Sequence, residues 1–339
     1  MLRPGKKLLA VFIVAGIALA AVWYFVRSPS PVAEEPRDAI RLAMPMHPTS
    51  LLAHIALEQG YFATNGLDVS VKEYPSGKRA LDDGLFAGQA DLTWSNETPV
   101  ALAGFQRADF RIISTTLTAD NVNMIIARRD SGIERPQDLR GKRIATQKGS
   151  AVHFFLHLFL LEHGLTEKDV RLSFLGAEEL PAALASGTID AISMRDPYIT
   201  QARTLLGEEK TITFRAQRIY DQMDVMVMRQ EILERNPGVA LKALRAMLDA
   251  LAYVENHPQE TAAIMARHLK IELREVEEML PDFKSNVALP QSLLVLMESE
   301  ARWAMKTGLT DRKEVPDFLN LIDVNDLKRL KPEVVTILR

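Results

Sequence analysis

With 339 residues, the chain is long enough for two domains, each with its own apolar core. Charged residues make up 25% of the chain and the formal net charge is −3, which excludes the basic field that nucleic-acid binding requires. Cysteine is absent, so disulfides, thiolate metal sites, a cysteine nucleophile and lipid modification of an N-terminal cysteine are excluded.

The first 36 residues have the pattern of an export signal. Arg3, Lys6 and Lys7 precede an unbroken apolar run of 19 residues at positions 8–26. Two interpretations stay open: cleavage near Ala20 would release a secreted protein, whereas 19 apolar residues also suffice for an uncleaved membrane anchor. We favour the anchor. Because a Lys/Arg cluster stays in the cytoplasm, both interpretations place residues 37 onward on the periplasmic side of the inner membrane.

From residue 39 the sequence alternates short apolar runs with stretches of helical periodicity, which is typical of α/β proteins. Strands are predicted at residues 40–44, 69–74, 91–94, 110–115, 124–127, 143–146, 170–174, 191–194 and 225–228. Helices are predicted at residues 51–59, 78–86 and 99–106. Beyond Arg229 no strand is predicted, and residues 229–306 are expected to be helical throughout, with breaks at Pro237, Pro258 and Pro290.

An internal repeat predicts two similar lobes. Residues 85–91 are similar to residues 184–190, and in both copies a glycine ends a helix and an aspartate begins a strand. Asn96 and Arg195 fall in equivalent places, just beyond the strand. Open α/β sheets bind their ligands at this end of their strands. If the lobes face each other, these two residues line the cleft between them.

The segment at residues 141–161 predicts an anion site. Residues 142–146 are typical of a buried strand, Gly149 allows a tight turn, and Ser150 can cap a helix whose first N–H groups have no internal partner. The positive end of the helix dipole favours a carboxylate, sulfonate or phosphate.

Several motifs together resemble those of the extracytoplasmic solute-binding proteins of ABC importers, in the family that handles nitrate, sulfonates, taurine and thiamine precursors. They lie at residues 53–62, 66–69, 74–77, 88–91, 97–99, 138–142, 148–150, 187–190 and 196–198. The resemblance implies a bilobed α/β fold of the type II periplasmic-binding-protein class, with two chain crossings and a helical C-terminal region. Lobe 1 would comprise residues 37–125 and 223–339, lobe 2 residues 126–222, and residues 1–36 the signal or anchor and spacer.

The resemblance also implies a ligand pocket between the lobes. Its residues would be His47, Ser76, Gly77, Asn96, Glu97, Thr98, Gly149, Ser150 and Arg195. The hydroxyls of Ser76, Thr98 and Ser150 would donate to an anionic group.

Two charged residues depart from the family's usual pattern, and each has two interpretations. Arg195 either binds a carboxylate or sulfonate, or pairs with an acid at the lobe interface. Glu97 either meets a ligand amine or interacts only with a helix dipole.

Other polar residues are given structural roles. Asp196 is predicted to cap the helix after Pro197. His153 and His157 have metal-pair spacing but lie among Phe and Leu, so they are interpreted as half-buried histidines, and neither a metal site nor a cofactor is expected.

The leading hypothesis is therefore a binding protein, with no enzymatic activity, that captures a small anionic or zwitterionic solute by lobe closure and works as a monomer with an ABC permease. A membrane-tethered ligand sensor is one alternative. The other is an enzyme similar to the family's thiamine-pyrimidine synthases, which use a cysteine-rich motif that this chain lacks.

Overall fold

A computed structural model describes residues 37–216 and 218–338. The predicted signal or anchor, residues 1–36, lies outside these ranges. Within them, no helix has the length and apolar character that spanning a membrane requires. Arg37–Arg339 form one compact unit, to which all the contacts below belong.

The strands of the described residues form two sheets. They are β1 (Asp38–Pro45), β2 (Leu67–Tyr74), β3 (Leu92–Asn96), β4 (Phe110–Ala119), β5 (Met124–Arg128), β6 (Arg143–Thr146), β7 (Arg171–Phe174), β8 (Ala191–Met194), β9 (Thr211–Phe214), β10 (Gln222–Arg229) and β11 (Phe283–Ala288). The first sheet has the order β11-β4-β10-β3-β1-β2, and the second has the order β7-β6-β8-β5-β9.

Helices cover these sheets and close the chain. They are α1 (Leu51–Glu58), α2 (Tyr61–Thr64), α3 (Gly77–Arg79) with its π-helical continuation Ala80–Phe86, α4 (Glu97–Ala103), α5 (Ala151–Glu162), α6 (Leu180–Ala185), α7 (Tyr198–Leu206), α8 (Gln230–Arg235), α9 (Val239–Asn256), α10 (Pro258–Leu269), α11 (Leu273–Met279), α12 (Gln291–Thr307) and α13 (Asn325–Leu330). The predicted breaks at Pro237, Pro258 and Pro290 are confirmed, because each proline lies between two of these elements or opens one.

Both sheets are built on the same plan. In the first, β1 runs parallel to β2 and β3, and β10 lies antiparallel to β3. In the second, β6 runs parallel to β7 and β8, and β5 lies antiparallel to β8. The chain passes from the first sheet to the second between β4 and β5, and it returns between β9 and β10. The division into lobes at residues 126 and 222 stays a prediction.

Buried strands make these sheets the core of the unit. All five residues of β3 are buried, and so are all four of β8. Since β3 includes Thr93, Ser95 and Asn96, its burial places polar side chains inside the unit, where they need partners. The buried strands therefore bring their carboxyl ends to fixed positions at the edge of each sheet.

The prediction of a wholly helical segment at residues 229–306 is wrong at β11. This strand pairs antiparallel with β4, Phe283 opposite Ala119, and Val287 is its one fully buried residue. An edge strand with so little apolar surface has no periodicity that distinguishes it from a loop or helix end. The prediction also missed β9, another edge strand, of four residues.

Candidate functional site

The carboxyl ends of β1, β3 and β8 converge with the first residues of β10. Because β10 is antiparallel to β3, its start lies at the same edge as the end of β3, and Asp224 pairs with Asn96. His47 follows β1, and Arg195 follows β8. The predicted residues His47, Asn96 and Arg195 are thus brought to one region, as the strand-end rule requires.

Arg195 is a buried cation that has no carboxylate partner in the described part of the chain. Its side chain is 3% exposed. Its Nη1 donates to the amide oxygens of Gln222 at 3.1 Å and Asn123 at 3.4 Å, while its Nε has no partner. No ion pair of Arg195 occurs in residues 37–216 and 218–338, so the predicted pairing with an interface acid is absent there. Burial lowers the pKa of Arg195, because the charged form is poorly solvated.

Asp224 is the buried acid of the region. It is fully buried and accepts hydrogen bonds from Asn96 Nδ2 at 2.9 Å, Thr49 Oγ1 at 3.2 Å and Ser50 Oγ at 3.4 Å. Burial raises the pKa of Asp224 to about 8, and the nearby charge of Arg195 acts in the opposite direction. The carboxyl group of Asp224 therefore accepts hydrogen bonds from neutral donors and also interacts with the charge of Arg195.

One ring nitrogen of His47 has a hydrogen-bond partner, and the other has none among the described residues. Its Nδ1 lies 2.9 Å from Thr49 Oγ1, whereas its buried Nε2 has no partner. Burial, followed by the charge of Arg195, lowers the pKa of His47 well below its ordinary value, so the ring is neutral. A Cβ at Gly77 would lie 3.0 Å from Nε2 and 3.3 Å from Ser95 Oγ, so glycine leaves these polar atoms uncovered.

Several buried polar atoms of this region have no partner among the described residues. They include His47 Nε2, Ser95 Oγ, Gln147 Oε1, Arg195 Nε and Gln222 Nε2. Leaving a buried donor or acceptor unpaired costs about 1–3 kcal/mol, so native proteins rarely collect several in one place without a ligand or water to bind them. The arrangement is suited to a polar molecule.

Side chains from both sheets close over this region. Gln147, after β6, donates to Ser76 Oγ at 3.0 Å, and the hydroxyl of Tyr198 donates to the carbonyl of Pro75 at 2.8 Å. Ser76 also accepts from Arg79 N–H at 3.2 Å, so the serine caps α3 while it contacts the opposite side. The structure is therefore a closed arrangement of the two sheets.

A cavity of about 110 Å³ adjoins the cluster. Its lining includes Thr49 and Arg195 from the cluster, and Asp196, Thr200 and Glu275 from the rim. The hydroxyl of Thr200 donates to Glu275 at 3.2 Å across this rim. The cluster is thus shielded by contacts that a separation of the sheets would break.

Glu97 and Thr98, two predicted pocket residues, turn their side chains to other partners. Glu97 accepts from Tyr220 at 2.5 Å and from the Met223 N–H at 3.0 Å, and Thr98 donates to Glu300 at 2.5 Å. Burial raises the pKa of Glu97 to about 7 and that of Glu300 well above its ordinary value. These contacts favour a structural role for Glu97 over binding of a ligand amine.

The predicted side-chain cap at Ser150 is wrong. Helix α5 does begin at Ala151, but the Ser150 hydroxyl donates to the carbonyl of Gln147 at 2.6 Å and caps no N–H group. The N–H of Gly149 donates to His153 Nδ1 at 3.2 Å. Gly149 has a φ of +63°, and a Cβ there would lie 3.0 Å from Leu102. The turn therefore fits closely against the neighbouring segment, and two of its polar groups are already bonded.

The remaining polar candidates have structural contacts. Asp196 accepts from Thr200 N–H at 3.0 Å, which confirms its predicted capping role. His153 and His157 both approach Glu167, at 3.6 and 3.0 Å. No group of three or more His, Asp or Glu side chains arranged to hold a metal ion occurs in the described part of the chain.

The sequence prediction missed several residues of the cluster: Thr49, Ser95, Gln147, Gln222 and Asp224. One signal was present. Gln222 and Asp224 are polar residues in an otherwise apolar strand, and both are fully buried. A polar residue in a buried strand needs a partner, which identifies it as a candidate for a site.

Residues 48–261, more than half of the chain, match the sequence model of the family described as NMT1/THI5 like. The chain belongs to this family. A relative, the putative aliphatic sulfonates-binding protein of Bacillus subtilis, is 26% identical over 284 residues, which cover 82% of this chain and 84% of that protein. The taurine-binding periplasmic protein of Escherichia coli is 23% identical over 218 residues, covering 63% of this chain and 66% of that protein.

Solved structures with only 18% sequence identity to this chain share its fold. The alkanesulfonate-binding protein SsuA from Xanthomonas axonopodis pv. citri, bound to MOPS, superposes with a TM-score of 0.75 at 18% identity and covers 86% of this chain and 99% of that one. The desulfurization enzyme DSZB gives a TM-score of 0.62 at 18% identity, with 88% and 99% covered. These likenesses confirm the predicted α/β periplasmic-binding-protein fold.

Proposed function

We propose that this protein is the periplasmic solute-binding component of an ABC importer, and that it binds a small organic anion with a sulfonate-like group between its two sheets. The family membership and the binding proteins among its relatives support this role. A permease in the inner membrane would be its partner, and the protein would act as a monomer. Its N-terminal segment would either be cleaved or tether it to the membrane.

One observation supports an anionic solute most strongly: Arg195 is buried and has no ion pair among the described residues. A buried unpaired guanidinium is costly, and an anion with planar or tetrahedral oxygens would satisfy both its charge and its free Nε. The other unpartnered atoms around it, on His47, Ser95, Gln147 and Gln222, would bind the remaining oxygens. A Cβ at position 77 would lie within 3.3 Å of two of these atoms, His47 Nε2 and Ser95 Oγ, so glycine keeps them uncrowded.

Fold similarity alone does not separate binding from catalysis, because an enzyme shares this fold. Two features favour binding. The sequence has no cysteine to act as a nucleophile. Thr49 lies between His47 and Asp224, whereas a nucleophilic triad places the imidazole between the hydroxyl and the carboxylate.

Thermal unfolding of the purified protein tests the proposal. A panel of alkanesulfonates, taurine, nitrate, aromatic carboxylates and thiamine precursors is added in a buffer without sulfonate. A solute present at about 100 times its dissociation constant adds roughly 2.7 kcal/mol of stability. We expect a concentration-dependent rise of the melting temperature with the sulfonates. No rise with any member of the panel would contradict the proposed solute class.

A further inference from the structure

Asp224 lies where the proposed solute would add a second negative charge. Its bonded donors, Thr49, Ser50 and Asn96, are all neutral, and it forms no ion pair within residues 37–216 and 218–338. Above the raised pKa of Asp224, the charges of its carboxylate and of the nearby Arg195 balance before the solute arrives. An added anion would leave one uncompensated negative charge in a medium of low polarity.

Thr49 connects Asp224 to His47. Its oxygen lies 2.9 Å from His47 Nδ1 and 3.2 Å from Asp224 Oδ1. A hydroxyl has one hydrogen, so it donates to only one of these two groups. When Asp224 is ionised, Thr49 donates to it and accepts from His47 Nδ1–H, which leaves Nε2 as an acceptor. When Asp224 is protonated, both bonds reverse direction and Nε2 carries the ring hydrogen.

The ring of His47 is neutral, so it carries one hydrogen, on Nδ1 or on Nε2. Its Nε2 is the buried, unpartnered atom beside Gly77. An acceptor at this place would repel a solute oxygen, whereas an N–H group would bind it. The state of Asp224 therefore decides whether His47 opposes or favours an anion.

We propose that the solute binds together with one proton, which ends on Asp224, and that the relay through Thr49 makes His47 Nε2 a hydrogen-bond donor to the anionic group. The proton enters at Nε2 from water, the hydrogen on Nδ1 passes to the Thr49 oxygen, and the original Thr49 hydrogen passes to Asp224. One proton is gained and no other group changes charge. This inference rests on the proposed function, because the solute must bring the negative charge.

The groups that face Asp224 bear on its protonation. They are Arg195 at the end of β8, Glu97 at the start of α4 and His47 after β1. Burial raises the pKa of Asp224 to about 8, so the solute-free protein has Asp224 ionised, and ready to take up a proton, above about pH 8. Burial also raises the pKa of Glu97 to about 7, so Glu97 is the competing site of protonation. Glu97 bonds to Tyr220 and Met223 N–H, outside the relay.

The relay is tested without any solute by NMR of the protein labelled with ¹⁵N at its seven histidines. The shifts of the two ring nitrogens report the tautomer, and a His47→Gln variant identifies the His47 signals. We expect the Nδ1–H form at pH 9.5 and the Nε2–H form at pH 6. The change should disappear in Asp224→Asn and in the double variant Thr49→Val with Ser50→Ala, because Ser50 Oγ also lies 3.5 Å from His47 Nδ1 and 3.4 Å from Asp224 Oδ2. The same tautomer of His47 at both pH values in the unmodified protein would overturn the relay.

Proton uptake is measured by titration calorimetry with ethanesulfonate in Tris and borate buffers, whose heats of ionisation differ. Above the pKa of Asp224 we expect uptake to approach one proton per solute and the affinity to fall about tenfold per pH unit. Asp224→Asn should abolish both effects. Asp221→Asn is the matched control, because Asp221 is exposed three residues away, and it should leave uptake unchanged.

Two outcomes are decisive. If ethanesulfonate binds without proton uptake, or if uptake persists in Asp224→Asn and disappears in Glu97→Gln, the inference is overturned while the proposed function stands. If ethanesulfonate does not bind, the proposed sulfonate class fails, and the histidine tautomers still decide whether the relay exists.

Discussion

β3 and β8 are equivalent strands in the internal repeat. They begin with the same contacts and end with different ones. At the start of β3, Asp91 accepts from the Arg41 N–H at 2.9 Å and from its guanidinium at 2.6 Å. At the start of β8, Asp190 accepts from the Arg143 N–H at 2.8 Å and from its guanidinium at 2.5 Å. Each aspartate thus ties a strand to its parallel neighbour in the same way.

The difference comes at the other end of each strand. β3 leads to Asn96, a neutral amide that donates to Asp224 at 2.9 Å. β8 leads to the equivalent residue Arg195, whose Nη1 donates to two amide oxygens and whose Nε has no partner among the described residues. The repeated aspartates link the strands, and the change from asparagine to arginine places a buried positive charge at the second strand end. We infer that solute binding depends on the second strand end more than on the first.

The largest effect is expected from Arg195→Met. Methionine keeps much of the buried volume but removes the guanidinium, so affinity for a sulfonate should fall about 100-fold or more. The melting temperature of the solute-free protein should not fall, because an unpaired buried cation is lost. Calorimetry and thermal unfolding measure the two effects.

Arg171→Met is the control for this substitution, since Arg171 is exposed on β7 and should tolerate it. The comparison of the two strand ends would be reversed by a larger loss of affinity in Asn96→Ala than in Arg195→Met.

The two repeated aspartates should differ in how much stability they contribute. Asp91 also accepts from Arg229 at 2.9 Å, whereas Asp190 forms an ion pair with Arg143 alone among the described residues. We expect Asp91→Ala to lower the free energy of unfolding by about 2 kcal/mol and Asp190→Ala by about 1 kcal/mol. Urea denaturation measures both, and an equal or larger loss for Asp190→Ala would contradict the expectation.

The sequence predicted the scaffold better than the site, and the repeat shows why. In each copy a glycine ends a helix and an aspartate begins the next strand, and both effects are local in the chain. Local patterns therefore predicted β3, β8 and the capping aspartate Asp196. Strands β9 and β11, both at sheet edges, were missed, whereas the edge strands β2 and β7 were predicted from short apolar runs.

The candidate site was only half predicted because it joins residues far apart in the chain. His47, Asn96 and Arg195 follow predicted strands, and the strand-end rule was sufficient for them. Asp224 meets Asn96 across 128 positions, through an antiparallel strand whose neighbours no local pattern specifies. The direction of a side chain could not be predicted from the sequence either. Thr98 has a hydroxyl suited to binding an anion, but it donates to Glu300.

Glu300→Gln tests whether the first strand end is structural. Burial, and then the charge of Glu97, raise the pKa of Glu300, and burial raises that of Glu97 to about 7. The folded state therefore keeps protons that the unfolded chain releases above pH 4.5, and stability falls as the pH rises from there through these pKa values. A neutral amide at position 300 should reduce this fall by about 1 kcal/mol between pH 6 and pH 8.

Denaturation with urea at the two pH values measures the change, with Glu298→Gln as the control because Glu298 is exposed on the same helix. His54, whose pKa burial lowers to about 4, and Asp224, whose pKa burial raises to about 8, also contribute in this pH range, but they contribute equally in both proteins and cancel in the comparison. If the pH dependence of stability is unchanged in Glu300→Gln, the expected protonation of Glu300 beside Glu97 is contradicted.

The smallest effect is expected from Ser150→Ala, at the helix N-terminus where the sequence predicted the anion site. Its hydroxyl donates to the Gln147 carbonyl, three residues earlier, so its loss should cost about 1 kcal/mol of stability. Affinity for a sulfonate should change by less than about threefold, well within 1 kcal/mol. Ser186→Ala is closely matched, because the exposed Ser186 donates to the Ala183 carbonyl at the same spacing. If Ser150→Ala lost as much affinity as Arg195→Met, the anionic group of the solute would be assigned to the helix N-terminus and not to the end of β8.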